Sequence, residues 1–266
     1  VYKRQLLVGP SGRWALWAGI DELAGPFVAA MIVLAMAAWV TLRWLRPDPR
    51  DVGRKMAQKH PEPTVHQGPA RSISQVLRTP AAFLAVLAMA VGQMVMVLLM
   101  VITSLYMRGH GHSLTDISLV IAAHTFGMFA FSLLAGRLTD TWGRGPVILS
   151  GAAMLVLACV IAPLSPEVAP LAAALFLLGL GWSFCFVGGS ALLTDQLSHA
   201  ERARTQGANE WLLGLATAAA SLGAGLVFAL TTFTAISILG ATLALVPLGL
   251  TGWWMVRGRE IVPAPR

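Results

Sequence analysis

The chain has 266 residues, of which 56% are hydrophobic and only 12% charged, with a net charge of +7. Soluble domains carry about 25% charged residues; here the few charges gather between long neutral stretches, which excludes an ordinary water-soluble globule. The positive balance does not indicate nucleic-acid binding either, because the basic residues lie between apolar segments, where they set orientation in a membrane.

In chain order, residues 1–22 hold no span. Val1-Tyr2-Lys3-Arg4-Gln5 resembles translated sequencing-library adaptor and is set aside from fold reasoning as an artefact; the remainder reads as an extracytoplasmic loop. Lys3 and Arg4 imitate a secretory leader, but Pro10 and Arg13 interrupt any apolar core. Stretches free of Asp, Glu, Lys and Arg then cover 23–42, 79–107, 117–136, 145–166, 168–194 and 211–256. A spanning helix needs about 20 apolar residues. The first five stretches therefore fit one helix each and the last fits two, broken at Thr231-Thr232-Phe233-Thr234, giving seven spans. The first span, 23–44, opens on Gly25-Pro26 and stops at Arg46-Pro47-Asp48-Pro49. A polar, basic linker over 45–80 has too little apolar surface for a core of its own, though Ser72 to Leu77 forms a short amphipathic turn. Six closely spaced spans occupy 81–256, with loops at 108–116, 137–144, 165–169 and 195–210, and 257–266 is a tail. The predicted fold class is all-α, a polytopic transmembrane helix bundle.

With the segment after Arg43 inside, 15 basic residues, including Arg43, Arg71, Arg137, Arg144, Arg202 and Arg257, lie on the cytoplasmic side. Only Arg108 lies outside beyond the first span. The carboxyl terminus is expected to be cytoplasmic and the amino terminus outside. Without a leader or an initiating methionine, this implies further spans upstream. Cys159 and Cys185 lie in apolar spans and are read as packing residues, with no metal or disulfide spacing visible.

The loop after the third span reads Gly136-Arg137-Leu138-Thr139-Asp140-Thr141-Trp142-Gly143-Arg144-Gly145. It is similar to the cytoplasmic loop signature of the major facilitator superfamily, matching at Gly136, Leu138, Asp140, Gly143 and Arg144. It departs at Thr141 and Gly145, where basic residues are usual. One span, a basic linker and six spans resemble helix six, the central loop and helices seven to twelve of that family, half of its fold plus one extra helix. Further segments resemble one bacterial branch: Gly109-His110-Gly111-His112-Ser113-Leu114 with His124-Thr125-Phe126-Gly127-Met128, Gly179-Leu180-Gly181-Trp182-Ser183 with Gly188-Gly189-Ser190, and Arg202-Ala203-Arg204-Thr205-Gln206-Gly207. A carboxylate beside cations and helix ends can form a charge-assisted cluster; the signature is thus expected to work as a conformational latch centred on Asp140.

Met89, Gln93, Met96, Met100, Thr103 and Met107 recur at steps of four and three and share one helix face. The resemblance places this span and the fifth at the central cavity, so Gln93, Met96, Met100, Trp182 and Ser183, with Phe186, are cavity candidates. His124, the one ionisable side chain deep within a span, is expected to face the cavity and set pH dependence. His110 and His112 lie in an outside loop and carry no metal expectation. Gly207, Gly214, Ala218, Ser221 and Gly225 form a small-residue stripe suited to helix contact, which the resemblance directs at the other half of a transporter. Glu210 is expected to cap the start of the same helix.

These features imply a bacterial plasma (inner) membrane secondary transporter working by alternating access. The first reading is proton-coupled efflux of drug-like or metabolite substrates by antiport; an uptake symporter and a non-transporting scaffold are the alternatives. Expected partners are a small-molecule substrate, the bilayer and the amino-terminal half of the same chain. No cofactor is expected beyond the proton gradient as energy source. An intramembrane enzyme fits poorly: no H-E-x-x-H occurs, and Gly181-Trp182-Ser183-Phe184 lacks the closing glycine of a rhomboid-like G-x-S-G. No selectivity-filter segment suggests a channel.

Overall fold

The computed structural model describes residues 14–21, 24–47, 52 and 70–259. The adaptor-like opening, most of the expected linker and the tail beyond 259 lie outside the described residues. The regular structure is all helical. Seven helices among the described residues are long and apolar enough to cross a membrane: Phe27–Trp44, Pro80–Gly109, Leu114–Thr141, Arg144–Leu164, Val168–Asp195, Ala200–Leu230 and Phe233–Arg257.

The chain divides into two compact units, 1–64 and 65–266. In the first, α1 (Gly25–Trp44) starts on Pro26, whose missing N–H costs nothing in the first turn, and ends with Arg43 in its last turn. In the second, α2 (Ile73–Leu77) leads into α3 (Pro80–Gly109), again with proline opening the helix. After them come α4 (Leu114–Phe129), α5 (Ser132–Thr141), α6 (Arg144–Ile161), α7 (Val168–Asp195), α8 (His199–Leu230) and α9 (Phe233–Arg259). Three helices open on the same device: Ser72 with Gln75, Ser113 with Asp116 and Ser198 with Glu201 each form a capping box. The serine hydroxyl takes one orphan N–H and the residue three positions on returns to the serine N–H.

Three boundaries differ from the sequence expectation. The segment 137–144, read as a loop, is helical through Thr141. The segment 195–210, read as a loop for its charges, is helical from His199 onward. The third span breaks at Ala130–Phe131 without glycine or proline; the Ser132 hydroxyl donates to the Phe129 carbonyl at 2.9 Å and satisfies a group the break would leave bare.

The burial pattern ranks the helices. The most apolar stretch of α3 is 67% buried and that of α7 is 56%, whereas that of α8 is 17%. α7 packs against α6, α4 and α3, and α3 also against α8 and α9. Lipid tails are as apolar as leucine, so contact between such helices depends on close packing. Two glycines in α7, two residues apart, point to opposite neighbours. A Cβ at Gly179 would stand 2.3 Å from the His124 carbonyl oxygen of α4, and one at Gly181 2.8 Å from the Gly151 carbonyl oxygen of α6. Both free thiols, Cys159 and Cys185, are buried.

Candidate functional site

At one end of the bundle, α5 turns into α6 through Trp142 and Gly143. Gly143 has φ +94, which favours glycine. The turn places Arg144 at the first position of α6, where its guanidinium makes three contacts. Nε donates to Asp195 at 2.8 Å, Nη1 donates to the Thr139 carbonyl at 2.9 Å, and Asp140 lies at 3.6 Å. The Asp140 side chain is 78% exposed. The cluster is therefore centred on Arg144 and anchored by Asp195 at the end of α7, not centred on Asp140 as the motif suggested. Asp195 escaped sequence reading because it sits 51 residues from its partner. The signature glycine Gly136 faces open space, whereas at Gly145, a departure from the signature, a Cβ would press on Met255 and Trp254 of α9 at 3.0 to 3.2 Å. That contact leaves little room for a larger side chain at this position. Thr141, the other departure, bonds its own helix at the Arg137 carbonyl, and Leu138 is partly buried against Ala135, Val147 and Phe184.

A second ion pair joins the segment before α2 to the start of α8. Arg71 donates from its backbone N–H, Nε and Nη2 to Glu201 at 2.7, 2.9 and 3.0 Å, and from Nη2 to the Gln196 carbonyl at 2.6 Å. Arg204 donates to the Arg71 carbonyl. Glu201 is 1% exposed, and its hydrogen bonds to Arg71 raise the arginine above its ordinary basicity. This pair was legible only as the Ser198-x-x-Glu201 capping box. It takes over the role expected of Glu210, which instead lies exposed about three turns into α8.

Halfway along the bundle, Gln93 of α3 is held from two sides. The Trp182 indole N–H of α7 donates to Gln93 Oε1 at 2.7 Å, and Gln93 Nε2 donates to Thr217 Oγ1 of α8 at 2.9 Å. Trp182 stacks on Phe186, with centroids 5.1 Å apart, and meets Phe129 of α4 edge-on at 6.4 Å. A groove of about 440 Å³ continues from Phe186 along Val187, Ser190, Ala191 and Thr194 to Arg144 and Asp195.

The other candidates separate from this face. Met89, Met96, Thr103 and Met107 are buried, because α3 is the central helix, and Met100 is half-buried. Ser183 is buried beside the open Trp182. His124 is 1% exposed in the contact between α4 and α7, its Nδ1 3.0 Å from the Leu175 carbonyl. A carbonyl only accepts, so Nδ1 carries the proton and Nε2, which has no hydrogen-bond partner among the described residues, carries the lone pair. The expected cavity position of His124 is corrected to a helix interface. On α8, Gly207, Gly214 and Gly225 have no atom within 4 Å of where a Cβ would stand, and Ala218 and Ser221 are exposed, so the stripe is uncovered.

A bundle of membrane-length helices with a two-sided amide at mid-depth and charge clusters at one end is that of a polytopic membrane protein. The family model described as Major Facilitator Superfamily matches residues 86–265, and the chain belongs to that family. It is similar to the MFS-type transporter YdeG of Bacillus subtilis, 36% identical over 255 residues covering 95% of this chain and 59% of the relative. It is similar to the riboflavin transporter RfnT of Brucella anthropi, 33% identical over 164 residues, 62% of this chain and 41% of the relative. A shorter likeness, 36% over 89 residues, 34% of this chain and 23% of the relative, is to the multidrug resistance protein MdtL of Escherichia coli. The chain thus spans less than two thirds of the length of these relatives.

Proposed function

We propose that these spans act as helices six to twelve of a secondary active transporter, with 45–80 as its central linker and 81–256 as its carboxy-terminal bundle. The observation that carries this reading is the Gln93, Trp182 and Thr217 network, a polar junction of three helices midway along an apolar bundle. Mid-membrane polar side chains belong to partners or to a pathway. The aromatic side of α7 is the substrate surface, the Arg144–Asp195 pair is a conformational latch, and the uncovered stripe on α8 is the surface for an amino-terminal half. The basic asymmetry supports a cytoplasmic carboxyl terminus.

Efflux by proton antiport is the preferred mode. The likeness to a multidrug resistance protein and an open face without a fixed charge at its centre support export of apolar molecules. The likeness to a riboflavin transporter supports the second reading, movement of a planar metabolite. For coupling, Glu210 is favoured over His124, because it is exposed on α8 beside the stripe while His124 is enclosed between helices. The test is flux in vesicles carrying the full protein under an imposed pH gradient. Wild type should transport against a substrate gradient, and Glu210→Gln should flatten the pH dependence and cut driven flux at least tenfold. Gradient-driven flux unchanged in Glu210→Gln would remove this carboxylate from coupling.

A further inference from the structure

We propose that Gln93, Trp182 and Phe186 form a binding site for planar, uncharged heteroaromatic molecules with an amide-like edge, an N–H beside a carbonyl. The proposal rests on the reading of this face as the substrate surface and names its substrate class.

The network fixes which amide atom meets which helix. An indole N–H only donates, so the Gln93 atom 2.7 Å from Trp182 Nε1 is the oxygen, and the atom 2.9 Å from Thr217 Oγ1 is the nitrogen. A primary amide has two N–H groups and two oxygen lone pairs. One of each is used, leaving one N–H and one lone pair on a side chain that is partly exposed. A lactam or imide edge supplies the complementary carbonyl and N–H. Held from two helices, the amide is already oriented, so little side-chain freedom is lost on binding.

The ring surface is set by the same network. Trp182 spends its only donor on Gln93; Phe186 stacks on one face of its indole at an interplanar angle of 19°, and Phe129 meets it edge-on. Trp182 and Phe186 are partly open while Ser183, Phe184 and Cys185 between them are buried, so a flat molecule would add to the stacked pair on an outer ring face. The adjoining groove of about 440 Å³ falls in the size range of small-molecule sites. Charge is selected against. Neither 79–107 of α3 nor 168–194 of α7 has an acidic or basic residue, and the ions at the far end of the groove, Arg144 and Asp195, neutralise each other at 2.8 Å. On these stretches of α3 and α7 an ionic substrate at Gln93 would find no counter-charge to offset its lost water, and the Glu210 carboxylate lies about two turns from Thr217 on α8.

Three probes of one ring size separate these requirements: 2-quinolone, with the lactam edge; N-methyl-2-quinolone, without the N–H; and N-methylquinolinium, a cation. Binding to the full protein in detergent is measured by equilibrium dialysis. 2-Quinolone should bind about tenfold tighter than its N-methyl form, and the cation should not compete. Gln93→Met should equalise the two neutral probes, and Thr217→Val, which frees the amide to turn, should reduce the preference. Phe186→Ala should weaken both neutral probes alike. Equal affinities in wild type, a preference surviving Gln93→Met and Thr217→Val, effective competition by the cation, or no binding of either neutral probe would each overturn the proposal. Flux of 2-quinolone into vesicles is read in parallel. Selective binding without flux would sink the transport reading and leave the site standing; flux without selectivity would do the reverse.

Discussion

Gly179→Leu is expected to destabilise the protein by about 3 kcal/mol or more, read as a large drop in thermal unfolding temperature in detergent. The Cβ alone would stand 2.3 Å from the His124 carbonyl oxygen and 3.0 Å from the Met128 N. Both are backbone atoms of α4, so no side chain can swing aside. The helices would have to part, opening the contact that also encloses His124 and its bond to Leu175. In lipid or detergent, close packing is what holds apolar helices together, so the loss is not recovered elsewhere. Gly249→Leu, at a position with nothing within 4 Å, should change stability by under about 1 kcal/mol. Equal unfolding temperatures for Gly179→Leu and wild type would refute the described α4–α7 contact.

Arg144→Leu should leave insertion intact and lower turnover more than tenfold. The substitution removes a charge-assisted bond to Asp195 and a bond to the Thr139 carbonyl. Hydrogen bonds to charged groups contribute about 1.5–3 kcal/mol, and about 1.4 kcal/mol already shifts a two-state balance tenfold. The bonds join the turn between α5 and α6 to the end of α7, so their loss changes how three helix ends move together. Asp140→Asn should cost less than about twofold, because the Asp140 contact is long and exposed and such pairs contribute little. If Asp140→Asn were as damaging as Arg144→Leu, the anionic centre would belong at Asp140 and the described geometry would not explain the latch.

Much of the fold is legible in the sequence because membrane spans are set by length and charge alone. The break at Thr231 and the proline starts at Pro26 and Pro80 follow from local chemistry. The start of α8 does not, because Glu201, Arg202, Arg204 and Glu210 make a helical segment look like a loop. Only the capping box at Ser198 marks it. The break between α4 and α5 has no breaker residue and depends on a hydroxyl meeting a carbonyl. At the site, periodicity put Gln93 on a methionine face but could not show that α3 is central and hides most of that face. His124 was correctly seen as deep in a span, yet depth does not tell an interface from a cavity. The bond from Trp182 to Gln93 spans 89 residues, and that from Arg71 to Glu201 spans 130. No local pattern encodes either.

The central claim is that the Gln93–Trp182–Phe186 face lines a pathway open to water from one side of the membrane at a time. Its most direct test is the reactivity of Phe186→Cys in the full protein with an impermeant thiol reagent applied to sealed vesicles of each orientation. His110→Cys and Ala203→Cys serve as markers for the outside and the cytoplasmic side. The two markers should label from opposite faces. Phe186→Cys should react from both faces, and 2-quinolone should slow the reaction. Phe184→Cys, two residues away and buried, should stay inert. Phe186→Cys inert from both sides while both markers label, or both markers labelling from the same side, would contradict the account.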